Sequence, residues 1–112
     1  MAVSWAVTPQ KVQAVIQRIL EISRPKKLIL FGSYVRGETH RDSDLDILVV
    51  MTDAVENPRK ESVRIRRELR GISMSMDILV VRESMLRELA DAPGLIYREA
   101  LRSGEVVYES AA

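Results

Sequence analysis

The sequence predicts an α/β (α+β) domain, a small mixed sheet of three to four strands flanked by helices. Three observations carry this. Short apolar runs alternate with segments of helical period. Two cap-plus-proline pairs, Thr8-Pro9 and Asn57-Pro58, open helices. The string Asp-Ile-Leu-Val-Val occurs twice, from Asp46 and from Asp77, each time as a buried-looking strand. The 112 residues, 46% hydrophobic, suit one domain spanning 1–112 with a modest core.

In chain order, Thr8 caps a helix in which Val12, Val15, Ile16, Ile19 and Leu20 share a face. Arg24-Pro25 ends it, because the residue before proline avoids the α region. Lys27 to Phe31 is a short buried strand. Gly32-Ser33 turns the chain into at most a turn or two of helix, closed by Gly37 and followed by the polar loop "ETHRDS". The run from Asp44 to Met51 is a strand, apolar on both faces after its first residues and therefore central. The helix after Asn57-Pro58 is arginine-rich and stops at Gly71; "SMSMDILVV" is a third strand. "ESMLRELADA" and "LIYREALRSG" are helices separated by Pro93-Gly94, Gly104 closes the second, and "EVVYE" is the last strand.

Charge and composition exclude several classes. Lys+Arg 17 against Asp+Glu 16 leaves a net charge of +1, so any basic patch is local. The absence of cysteine excludes disulfides and thiolate metal sites and is compatible with a cytoplasmic location. "MAVSWAVTPQ" does not read as a signal peptide, and no apolar run is long enough to span a bilayer.

Asp44 and Asp46 stand at i, i+2 at the start of a strand, so both carboxylates project to one face, roughly 6–7 Å apart along the chain. Two such carboxylates suit magnesium, a hard ion held by a few carboxylates plus substrate phosphates; solvated aspartates at a strand start are the plain alternative. Asp77 sits inside an otherwise apolar strand, where a charge is costly unless paired or metal-bound. If the two strands are neighbours, Asp77 joins the same face; a salt bridge to one of the arginines is the alternative. Gly32 permits close backbone approach, and Ser33 at a helix start would offer N–H groups to phosphate. Neither a Walker A loop nor a dinucleotide fingerprint is present.

"FGSYVRGETHRDSDLDILV" resembles the signature of the DNA polymerase β-like nucleotidyltransferase superfamily, and more narrowly its minimal nucleotidyltransferases, through Gly32, Ser33, Arg36, Gly37, Ser43, Asp44 and Asp46, with Asp77 as the third carboxylate. The resemblance covers nearly the whole chain. It implies a polymerase β-like fold and a metal-dependent transfer of a nucleoside monophosphate to a hydroxyl, ATP being the expected substrate. It further implies that Asp44, Asp46 and Asp77 are catalytic residues and metal ligands for two Mg2+ ions. Gly32, Ser33, Arg36 and Ser43 would bind nucleotide. Arg36 either meets phosphate or braces the loop through a carboxylate, and Ser43 caps or orients the strand start. His40 is expected at the surface.

The resemblance also implies a partner, a small helical HEPN-type toxin whose tyrosine receives AMP, making the chain an antitoxin. The chain carries no further domain to grip a small acceptor, so the acceptor is expected on a second chain or a shallow surface. The alternative is a non-catalytic module that neutralises or scaffolds a helical partner; a homo-oligomer is left open. The arginine-rich helix (Arg59, Lys60, Arg64, Arg66, Arg67, Arg70) reads as a solvated face in which Glu61 and Glu68 interleave, and direct nucleic-acid binding is not expected with so few aromatic residues. Tyr34 could pack or stack beside nucleotide; Trp5 could pack on a sheet edge or another chain.

Overall fold

Thr8 opens α1 (Pro9–Ser23) as its cap: its hydroxyl accepts from the Lys11 N–H at 3.2 Å, with Pro9 in the first turn. Arg24 ends the helix in a left-handed conformation, φ 48° and ψ 59°, ahead of buried Pro25. In the computed structural model, which describes residues 5–37, 44–89 and 96–111, the elements continue as β1 (Lys27–Phe31), β2 (Leu45–Met51), α2 (Pro58–Glu68), β3 (Met76–Arg82), α3 (Glu83–Leu89), α4 (Ile96–Ser103) and β4 (Glu105–Glu109). Asn57 caps α2 as Thr8 caps α1, accepting from the Lys60 N–H at 3.1 Å.

The four strands form one mixed sheet in the order β3-β2-β1-β4. β1 pairs antiparallel with both β2 and β4, while β2 and β3 run parallel. Strand alternation splits the apolar residues between two cores. Leu28, Leu30, Leu45, Ile47, Val49 and Ile78 lie under Val12, Val15, Ile16 and Ile19 of α1 and Ile65 of α2. Ile29, Phe31, Leu48, Val50 and Val81 lie on the other face with Leu86 of α3 and Ala100 of α4. Among the described residues no helix is long and apolar enough to cross a membrane.

Four details differ from the sequence reading. β2 begins at Leu45, leaving Asp44 just outside it. The third strand begins at Met76, so buried Met74 joins the core from the preceding loop. β3 is an edge strand, fully buried only at Ile78 and Val81, because only β2 pairs with it. α2 ends at Glu68, where the Leu69 N–H is shared between the Ile65 and Arg66 carbonyls and tightens the last turn before Gly71 is reached. Ile47→Ala, at a fully buried position of a central strand, is expected to cost about 3 kcal/mol in urea unfolding. Val106→Ala, half-exposed on β4, should stay within about 0.5 kcal/mol of the parent.

Candidate active site

The parallel pairing of β2 and β3 sets Asp46 directly against Asp77. Residues in register on neighbouring strands project to the same face, about 4.8 Å apart. The pairing reaches one residue further back, where the Leu45 N–H donates to the Ser75 carbonyl at 3.0 Å. Asp44 is thereby brought beside Ser75, whose hydroxyl donates to Asp44 Oδ1. The structure thus sets Asp46 against Asp77 on the α3/α4 side of the sheet, with Asp44 near enough for its charge to act on Asp46.

Gly32 closes the site from β1. Its neighbour Phe31 pairs with Asp46 across the antiparallel ladder. Gly32 has φ 86°, and a Cβ built there would collide with Oδ2 of Asp46. Only glycine allows both the left-handed backbone and the close seating of this carboxylate.

The helix expected after Gly32-Ser33 does not form. Residues 33–37 are turns, held by Arg36 N–H to the Gly32 carbonyl (3.2 Å) and Gly37 N–H to the Tyr34 carbonyl (3.2 Å). Gly37, at φ 75°, leaves the helical region of backbone conformation, so no regular helix is established. Ser33 lies half-buried in this turn, and Tyr34 packs against the α1/α2-side core. Arg36 pairs with Glu99 of α4 at 2.6 Å, the bracing arrangement of the two weighed for it. Ser43 and His40 lie outside the described residues.

The electrostatics follow from the crowding. Burial, then the charges of Asp77, Asp44 and Glu99, push the Asp46 carboxyl above its ordinary value of 3.8; Arg36 partly offsets them. Asp77 carries an ion pair, with Arg66 of α2 donating to its Oδ1 at 2.9 Å and to the Ile78 carbonyl at 3.1 Å. The Asp77 side chain is 48% exposed, so the charge is less costly than a buried strand would make it. A salt bridge to an arginine is the sequence alternative for Asp77, but nothing in the sequence names Arg66 as the donor. Its only signal there was membership of a basic helix, with nothing to mark it from its neighbours. As arranged, with Asp44 on Ser75 and Asp77 on Arg66, the described residues include no group of three or more Asp, Glu, His or Cys gathered to hold a metal ion.

Residues 11–112 match the family model described as Polymerase beta, Nucleotidyltransferase, and the chain belongs to that family. Over 27 residues it is 63% identical to a Methanocaldococcus jannaschii protein named as a "putative protein adenylyltransferase", a match covering 24% of this chain and 27% of that relative, about a quarter of its length. Among solved structures it is similar to a toxin-antitoxin crystallised with AMP-PNP, with a TM-score of 0.62 and 22% identity over 94% of this chain and 76% of the other. A mutant form of the toxin-antitoxin MntA-HpeT gives a TM-score of 0.60 and 18% identity over 94% of this chain and 76% of the other. At these identities the likeness establishes the fold, the mixed α/β sheet expected from sequence.

Gly32→Ala is expected to cost about 1–2 kcal/mol for the left-handed backbone alone, with a further loss from the displaced Asp46 carboxylate. In urea unfolding the total should shrink on an Asp46→Ala background, where the collision is gone but the backbone strain remains. The raised Asp46 pKa has its own consequence. The unfolded chain releases this proton at lower pH than the folded one, so stability falls as pH climbs from the ordinary value through the raised native one, and the penalty persists above. Asp46→Asn should therefore raise the urea midpoint of the metal-free protein at neutral pH. The gain should vanish once pH drops below about 4.

Proposed function

We propose that this chain is a metal-dependent nucleotidyltransferase that moves AMP from ATP to a hydroxyl, a tyrosine of a HEPN-type toxin partner, and so acts as an antitoxin. The observation that carries the reading is the register that sets Asp46 against Asp77, with Asp44 alongside and the Gly32 turn closing over Asp46. Family membership supports nucleotidyl transfer. The relative named as a protein adenylyltransferase supports a protein acceptor. The toxin-antitoxin crystallised with AMP-PNP supports an adenine nucleotide and a toxin partner. The reading puts the protein in the cytoplasm, where ATP is available.

The donor set fits magnesium by its chemistry. All three groups are hard carboxylate oxygens, and their mutual repulsion at Asp46 is what a divalent cation relieves. Asp44, Asp46 and Asp77 would hold the ions, once Arg66 and Ser75 release their carboxylates. Bound metal would supply charge neutralisation at the attacking and leaving oxygens. Gly32, Ser33 and Ser43 are assigned to the triphosphate, with Arg36, held by Glu99, bracing the turn that carries the first two. The acceptor oxygen attacks the α-phosphorus, the bond to the bridging oxygen breaks, pyrophosphate leaves, and the hydroxyl proton passes to Asp77.

The Arg66–Asp77 pair favours a second reading, in which Asp77 is a structural charge and the chain is a non-catalytic binder. Incubation with labelled ATP, magnesium and a HEPN-type partner separates the two. Label should move to the partner tyrosine, stop in excess chelator, and drop about a hundredfold or more in Asp44→Asn or Asp77→Asn, as when charge stabilisation at the reacting atoms is removed. Partner binding without transfer, equal in parent and variants, would establish the binder instead.

A further inference from the structure

From sequence, Glu61 and Glu68 interleave with the arginines of α2 on a solvated face. The i,i+3 pair Glu61–Arg64 forms as spaced, but the fold draws both acids to one side. Glu61 turns toward α1, where its carboxylate accepts from the Ser23 hydroxyl at 3.4 Å and from Arg64 at 2.7 Å, while Arg64 also donates to the Ile22 carbonyl. Glu68 pairs with Arg18 of α1 at 3.1 Å. Both acids are thus consumed on the α1 side, and on the opposite flank Arg66 reaches Asp77. Arg59, Lys60, Arg67 and Arg70 remain exposed with no ion-pair partner among the described residues. An open groove of about 550 Å³ crosses this face, lined by Asn57, Arg59, Lys60, Val63, Arg64 and Arg67, and Val63 is 51% exposed in it.

We propose that this outer face of α2 docks the acceptor protein, through an acidic, amphipathic segment of that partner. Carboxylates of the segment meet Arg59, Lys60 and Arg67, and one apolar side chain covers Val63. The inference rests on the acceptor being a protein, as proposed above. A net charge of +1 means the basic face is not a whole-molecule excess but a local concentration on one helix, which steers an acidic partner to one place. Nucleic acid would meet the same cations, but the groove's lining includes exposed Val63 and no aromatic side chain for a base to stack on. The carboxylates lie across the sheet from this face, and Arg66, on the flank of the same helix, reaches Asp77 at the β3 edge, so the docked segment leaves the site open.

The test is amide chemical-shift mapping of the full chain titrated with a synthetic helical peptide of glutamate and leucine, and separately with an oligouridine RNA. Shifts should centre on residues 57–70 with the peptide and fade as salt rises above about 0.1 M. Lys60→Glu combined with Arg67→Glu, both surface changes, should weaken peptide binding about tenfold with an unchanged melting temperature. Shifts on another face, indifference to the charge reversal, or tighter binding of RNA at the same residues would each overturn the proposal. Asp44→Asn should bind peptide as the parent does. A chain that docks peptide but transfers no AMP therefore sinks the enzyme reading alone, and one that transfers AMP while ignoring the reversal sinks the docking surface alone.

Discussion

The parallel register of β2 on β3 governs the rest of this molecule. It sets Asp46 against Asp77 and, one step back, Asp44 beside Ser75. A slip of one residue would send Asp77 to the α1/α2 side and Ile78 out of the core that fixes it. The apolar residues therefore position the carboxylates: Ile47 and Ile78 on one face, Leu48 and Val81 on the other, hold the register that the acidic pair by itself would resist. The same constraint demands α2, because parallel neighbours need a crossover rather than a hairpin. α2 packs Ile65 and Leu69 into the α1-side core, and this brings Arg66 to the β3 edge.

Crowded carboxylates are a local conflict that the fold tolerates. Burial and like charge raise the Asp46 pKa, Gly32 surrenders its side chain to give the carboxylate room, and Arg36 is held nearby by Glu99. Each device answers one consequence of putting several acids on one end of a small sheet. The proposed site for a divalent cation and a triphosphate gives the arrangement a use that a purely structural domain lacks. The Arg66–Asp77 pair belongs to the same balance: a cation supplied by the chain sits where the proposed metal site would open.

Much of this was legible in the sequence, through strictly local rules. Thr8 and Asn57 cap their helices, Arg24-Pro25 stops α1, and β1 and β4 have their expected limits. The limits that drifted were those set by partners, since β2 and β3 start where pairing starts; the turn after Gly32 does not become a helix because Gly37 takes a positive φ. The exposure of Asp77 escaped because the Asp-Ile-Leu-Val-Val string is identical in a central and an edge strand, and only the order β3-β2-β1-β4 tells them apart.

By itself the sequence determined the residue types and spacings that chemistry needs: an i, i+2 aspartate pair, a third aspartate in a second strand, and a glycine before a serine. These are encoded within a few residues, where cap, turn and alternation rules act. Tertiary structure decided which charges meet between elements. Glu68 turns to Arg18 of α1, Arg66 to Asp77 and Arg36 to Glu99, whereas Glu61 meets Arg64 one turn along its own helix, as local spacing allows. The physical reason is that a long charged side chain takes whatever partner packing brings within a few ångströms, and packing is a property of the whole chain.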